Sequence, residues 1–325
     1  MAFSKSKPCH IHLVTYNTWH ALDPYHPYLM LPLQSPWKLI TRYMGQEKAL
    51  ARLAAKYSQD LLVLHLQELN PLPFRLKRLM RQMRLGGAGS IGNAGIRYGW
   101  LGYPVFLYEG LATLFSKTLK KRRAKSHLLS GWGKEFNFLG RHRLFFQLAE
   151  KRKVQGICGE YRGIKTAFFN LHLHNGYVNE RDQVRRSQEI EKLVHFLNQQ
   201  KSYRDLVFVS GDFNCDASSA ELLPLLDAEF LNVATIGDSL VLPLETWDPE
   251  RNAFISDFLG RAPNEAQRTW DSEAHGFDQI YVWLSPEFRA RYRYDVKLAR
   301  VFDGPIPLSD HYGLQCDFSC ELKRP

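Results

Sequence analysis

The chain has 325 residues, 45% of them hydrophobic and 23% charged, with a formal net charge of +10 and an isoelectric point near 9.3. This is an ordinary globular composition; no linker-like shift divides it, so one domain over residues 1–325 is expected. No apolar run approaches the ~20 residues that span a bilayer, and the basic charge favours an anionic partner without choosing among nucleic acid, phospholipid headgroups and phosphorylated small molecules.

In chain order, residues 11–16 alternate and are β-rich, which predicts a strand that ends at Asn17. An aromatic, proline-rich loop follows through Tyr25, Pro27, Tyr28 and Trp37. Leu50, Leu53 and Ala54 predict an amphipathic helix over residues 42–57, and the apolar residues 61–66 predict a buried strand that ends at Gln67-Glu68. A second helix is expected over residues 74–85. The glycine-rich residues 86–99 lack the Lys-Ser/Thr ending of a nucleotide-binding loop and read as a flexible surface loop. Residues 110–116 read as a strand and the charge run 117–125 as a solvated turn. A hairpin is expected from residues 154–158 and 166–173 around Gly159 and Gly163. A helix over residues 180–200 should turn Val184, Ile190, Leu193, Val194 and Leu197 inward. Residues 206–210, 277–283 and 312–318 are later strands. Strands joined by helices in some places and hairpins in others predict a mixed α/β architecture of packed sheets with helices outside.

Five cysteines, odd in number and without zinc-like spacing, suggest reduced thiols or at most one disulfide, and hence a cytoplasmic setting. The basic N-terminal residues are not followed by an apolar segment of signal-peptide type.

Chemistry concentrates where the predicted strands end. Glu68, Asp212, Asp278 and Asp310 supply carboxylates, Asn17 and Asn214 neutral oxygen donors, and His172 and His311 imidazoles. Such a set suits a hard divalent cation bound through oxygen beside a histidine base. Magnesium takes only one or two carboxylates and keeps several waters, so Glu68 and Asn17 are sufficient ligands. A carboxylate on the second nitrogen of the base would fix its tautomer. His10, His12, His65 and His195 belong to no such string and read as structural; Glu109 is a candidate to orient His172.

These strings are Tyr16-Asn17, Leu66-Gln67-Glu68, Asn170-Leu171-His172-Leu173, Gly211-Asp212-Phe213-Asn214, Phe277-Asp278-Gln279 and Ser309-Asp310-His311. In this order they make the chain resemble the endonuclease/exonuclease/phosphatase superfamily over residues 11–319. The resemblance implies a four-layered α/β sandwich, two packed mixed β-sheets flanked by helices, and a phosphoester hydrolase that uses Mg2+ or Mn2+ and direct attack by water. It implies Glu68 and Asn17 at the metal with Asp310 nearby, Asp212 and Asn214 orienting water and phosphate, His311 as general base oriented by Asp278, and His172 against the phosphate. Two departures are Gly276-Phe277-Asp278-Gln279 for the usual Arg-Ile-Asp-Tyr, and Leu171 for threonine.

Residues 109–117, His172-Leu173-His174 and 308–314 resemble the neutral sphingomyelinase branch, so a phospholipid phosphodiesterase that touches a membrane peripherally is the first expectation. The aromatic segments 25–37 and 132–138 could meet a lipid surface or stack on bases. A nuclease of the same fold, favoured by the charge, is the alternative, and a catalytically silent binding protein a third. A monomer is expected.

Overall fold

Period-two alternation sends neighbouring side chains to opposite faces of each strand, and two sheets packed together need both faces apolar. The first strand, β1 (Cys9–Asn17), shows the division: Ile11 and Leu13 are buried between the sheets, Val14 and Tyr16 beneath the outer helices. In β2 (Leu61–Gln67), Leu61 and Val63 point inward while Leu62, Leu64 and Leu66 point outward. The same split recurs in β7 (Ile164–His172), β8 (Leu206–Asp212) and β10 (Asp278–Leu284). There Phe168, Phe208 and Ile280 face inward, and Phe169, Val209 and Tyr281 outward. The computed structural model describes residues 8–19, 36–98, 104–133, 146–175, 180–236, 245–255, 265–304 and 308–323.

The remaining strands are β3 (Gly86–Tyr98), β4 (Pro104–Phe115), β5 (Lys120–Gly133), β6 (Phe146–Tyr161), β9 (Leu231–Asn232), β11 (Tyr292–Val301) and β12 (Gly313–Leu322). One six-stranded sheet runs β11-β12-β1-β2-β4-β3, and the other runs β6-β7-β8-β10-β9 with β5 on the free side of β6. Pairing of β3 with β6 joins them at one margin. Helices α1 (Pro36–Lys56) and α2 (Leu72–Met83) cover the first sheet through Leu50, Leu72 and Leu79. Helices α3 (Glu180–Lys201) and α4 (Leu223–Asp227) cover the second through Ile190, Leu193, Leu197 and Leu225. This is the four-layered α/β sandwich expected from the sequence.

Three local expectations fail. Residues 86–98 form β3 rather than a loop: a Cβ on Gly87 would lie 2.8 Å from Met80 Sδ, and one on Gly89 2.8 Å from Leu76 Cδ2. The glycines are there because α2 presses on the strand. The charge run is mostly strand, since β5 begins at Lys120. Among the described residues β5 pairs only with β6. An edge strand can solvate cations on both faces, and charge there discourages further pairing. Val184 is exposed on α3, whereas Ile190, Leu193 and Leu197 are buried. The hairpin of β6 and β7 forms as expected; Arg162 and Gly163, both at positive φ, make its turn. All five cysteines are free thiols and buried. Among the described residues no helix is long and apolar enough to cross a membrane. Of the aromatic segment 25–37 only residues 36 and 37 are described, and they begin α1 rather than continue a loop; of the 132–138 segment only 132 and 133, the end of β5, are described.

Candidate active site

Parallel pairing of β1 with β2 and of β7 with β8 brings their C-terminal ends to one edge of the sandwich. Asn17 lies opposite Gln67, and His172 opposite Asp212. Antiparallel β10 starts at that edge, so Asp278 also faces Asp212. Asp310 and His311 immediately precede β12, the other neighbour of β1. The eight predicted site residues thus come together from both sheets.

Asp212 Oδ2 is the focus. Asn17 Nδ2 donates to it at 2.9 Å and to Glu68 Oε1 at 3.3 Å. His172 Nε2 lies 3.6 Å from Asp212 Oδ2 and 3.9 Å from Glu68 Oε1. From the other side His311 Nε2 approaches the same Asp212 oxygen at 3.9 Å. His311 Nδ1 is 2.7 Å from Asp278 Oδ2, in the geometry that fixes a tautomer. The rings of Trp247 and Phe277 wall in the His311 imidazole. The Asn17 oxygen accepts from the Trp19 amide at 3.0 Å, so its nitrogen faces the two carboxylates. The Asn214 amide N–H donates to Asp212 Oδ1 at 2.9 Å, and Asn214 Nδ2 donates to the Leu173 carbonyl at 3.0 Å.

Backbone strain marks the same places. Trp19, Glu68 and Asn214 sit at φ of 44°, 52° and 53°, the left-handed region that non-glycine residues seldom occupy. At Glu68 the turn is held by the Leu69 amide, which donates to the Gly110 carbonyl at 3.1 Å.

Burying this many acids has an electrostatic consequence. Burial, reinforced by Asp278, pushes the Asp212 carboxyl up to about 7 against the pull of His311 and its hydrogen bonds. Burial and the nearby Glu68 push Asp310 up to about 6, again against His311. Burial alone would lower His311, but Asp278, Asp310 and Asp212 together hold it up at about 10. The site as it stands is therefore rich in carboxyl groups and keeps a proton on His311. Asp278 Oδ1 is buried without a hydrogen-bond partner. The donor set is mainly oxygen, which suits a hard cation. Among the described residues no group of three or more His, Cys, Asp or Glu side chains is placed to enclose an ion.

Several supporting residues escape a sequence reading. Arg42 and Gln46, one turn apart on α1, run beneath the site. Arg42 Nη2 donates to the Trp19 carbonyl at 3.0 Å and lies over the Trp19 ring. Gln46 Nε2 donates to the carbonyls of Thr18 at 2.9 Å and Leu308 at 2.6 Å. It thereby ties the chain after Asn17 to the chain before Asp310. The Ser309 hydroxyl donates to the Asn17 carbonyl at 2.6 Å, and Thr246 Oγ1 accepts from the Asp278 amide at 3.1 Å. One rung below, Gln67 Nε2 reaches Asn170 Oδ1 at 2.6 Å and Thr15 Oγ1 at 3.0 Å, and His65 Nδ1 lies 2.7 Å from Ser210 Oγ. The i, i+4 polar pair on α1 was the available signal; the polar residues inside the apolar strands were another. Both motif departures are accommodated. Gln279 Nε2 donates to the Cys215 carbonyl and Gln279 Oε1 accepts from the Tyr281 hydroxyl, while Leu171 packs in the outer core of the second sheet. Glu109 accepts from Asn93 and lines a cleft with His172.

No protein-family model and no curated protein matches the sequence. Solved structures do match in fold. TDP2 from D. rerio, complexed with a single-strand DNA product, is 15% identical with a TM-score of 0.58, over 95% of this chain and 98% of that one. Truncated Caenorhabditis elegans TDP2 is 15% identical with a TM-score of 0.52, over 95% and 97%. An endonuclease/exonuclease/phosphatase family protein from Bacteroides thetaiotaomicron is 14% identical with a TM-score of 0.56, over 96% and 98%. With two packed six-stranded sheets and this strand order, the chain has the fold of the endonuclease/exonuclease/phosphatase superfamily.

Proposed function

We propose that the chain is a metal-dependent phosphodiesterase that hydrolyses a phosphoester bond by direct attack of water, and that its substrate is a nucleic-acid strand. The observation that carries the reading is the convergence of Asn17, His172 and His311 on one buried Asp212 oxygen, with Glu68 alongside and Asp278 behind the histidine. Glu68 and Asp310 are the carboxylates that would hold Mg2+ or Mn2+, with Asn17 spacing Glu68 from Asp212. A divalent cation bound there would polarise a phosphoryl oxygen and offset the carboxylate field that keeps the proton on His311.

In this reading His311 accepts the proton of the attacking water, and Asp278 holds the imidazole in the receiving tautomer. Asp212 and Asn214 orient the water and the phosphoryl group. His172, between Asp212 and Glu68, offers Nε2 to a phosphate oxygen. Water attack forms one P–O bond as the ester P–O bond breaks, and the departing oxygen takes a proton.

The +10 charge supports a polyanionic substrate, as does the single-strand DNA product bound by the D. rerio neighbour. The second reading, a sphingomyelinase-type phospholipid phosphodiesterase, is favoured by the strings at residues 109–117 and 308–314. A panel of single-stranded DNA, RNA and sphingomyelin vesicles, each with Mg2+ and with excess chelator, separates the two. Strand cleavage far faster than lipid hydrolysis, abolished by chelator, is expected. Lipid turnover dominating would reverse the substrate assignment, and no metal-dependent turnover of any diester would overturn the activity.

A further inference from the structure

Strands β3, β4 and β6 wall a narrow surface cleft that Glu68 and His172 also line. Its walls carry Ser90 and Asn93 from β3, Glu109 from β4, and Lys151, Arg152 and Lys153 from β6. Lys151 and Lys153, two positions apart on a strand, project to the same side. Lys153 Nζ donates to Ser90 Oγ at 3.1 Å, which anchors the ammonium group at the cleft wall. Among the described residues neither lysine is in an ion pair, although both are half-buried. Burial, and to a lesser degree the neighbouring Lys151, pulls Lys153 below the ordinary lysine range. Arg152 is buried behind them, donating to Asn175 Oδ1 at 3.2 Å. Of the carboxylates in the cleft, Glu109 is engaged by Asn93, and Glu68 belongs to the catalytic cluster.

Like charges held together at a partly desolvated wall repel, and an anion between them turns that repulsion into attraction. We propose that this cleft is a subsite for a second phosphate, adjacent to the one cleaved at Glu68 and His172, with Lys151 and Lys153 as its contacting residues. The inference rests on the phosphodiesterase reading and refines it. Such a subsite selects a diester that carries a further phosphate, one step along a polymer backbone. It disfavours a choline-type headgroup, whose cationic end the two lysines would repel.

The test compares the wild-type chain with Lys151→Ala/Lys153→Ala and with Lys153→Gln, which retains a donor for Ser90. In the first arm, Mg2+-supported hydrolysis of TpT, pTpT and TpTp is measured. A terminal phosphate on one side should raise kcat/KM in the wild type. The double variant should lose that preference through KM while TpT turnover stays within about twofold. In the second arm, binding of a labelled single-stranded 12-mer deoxyoligonucleotide is followed by anisotropy in EDTA over a salt series. Loss of two phosphate contacts should lower the log–log salt slope by about 1.4, at ~0.7 per contact for a single strand. An unchanged slope, or an undiminished terminal-phosphate preference, overturns the subsite. Failure of the wild type to hydrolyse any of the three dinucleotides would instead count against the phosphodiesterase reading, and the binding arm would still decide the subsite.

Discussion

Two layers fill the space between the sheets in different ways. In the apolar layer Phe168 and Phe208 stack with centroids 5.3 Å apart, packed among Ile11, Val63 and Ile280. Nearer the catalytic edge Thr15, His65, Gln67, Asn170 and Ser210 occupy the same gap and meet through hydrogen bonds. Apolar contact is strong but non-directional, so it holds the sheets together without fixing their relative position. Hydrogen bonds are weaker in net effect but directional, and a missing partner is costly when buried. Asn170 Nδ2, for instance, caps the carbonyls of both Leu66 and Ala112 at 3.0 Å, reaching from one sheet to the other. The apolar layer supplies cohesion, and the polar layer sets where the catalytic residues of one sheet stand against those of the other.

The largest effect should come from the rung above the polar layer. His311→Ala and Asp278→Asn are each expected to lower kcat ~10²–10⁴-fold, the usual cost of losing one general base. Because the pair acts as a unit, the double variant should be little worse than the worse single. Strictly additive losses in steady-state kinetics would dissolve the dyad.

Phe208→Ala should cost about 3–5 kcal/mol in urea unfolding, from lost transfer energy and the cavity left behind. Its kcat per folded molecule should be unchanged, since the apolar layer does not set site geometry. Asn170→Leu should give the opposite ratio: about 1–3 kcal/mol of stability, from carbonyls and Gln67 left without partners, with a clear fall in kcat. If the two variants lost stability and turnover in the same proportion, the division of labour between the layers would be wrong.

The smallest effect is a pH dependence. Burial pushes His65 down to about 3, below its ordinary 6.5. The unfolded chain therefore binds a proton that the folded one refuses, and stability falls as pH drops below 6.5. From this residue the loss is about 1.4 kcal/mol at pH 5.5, one pH unit's worth. His65→Asn should flatten that slope in denaturant titrations between pH 7 and 5; an unchanged slope would place the acid sensitivity elsewhere.

Much of this was legible in the sequence because two-sided burial leaves a plain mark. The apolar runs of β1, β2, β7, β8 and β10 identify the central strands, and polar residues at their ends identify the edge where Asn17, Glu68, His172, Asp212 and Asp278 gather. What was missed depends on partners remote in sequence. The glycines of β3 read as flexibility until α2 is seen pressing on them. The lysines and arginines of β5 read as a turn until the strand is seen at a sheet edge. Arg42 and Gln46 lie outside the Leu50, Leu53 and Ala54 stripe that marks the helix, yet they are buried and hold the backbone at Trp19, Thr18 and Leu308. Val184 fits the helical period, but the α3 stripe that meets the sheet begins further along the helix.

The most direct test of the account is Glu68→Gln, which removes the carboxylate charge at the centre of the proposed metal site and little else. Mn2+ binding by calorimetry, urea unfolding and cleavage of single-stranded DNA with Mg2+ should be measured on the variant and the wild type together. The expected result for the variant is an unfolding midpoint close to wild type, markedly weaker Mn2+ binding and no detectable cleavage. Full cleavage by Glu68→Gln, or by the wild type in excess chelator, would contradict it.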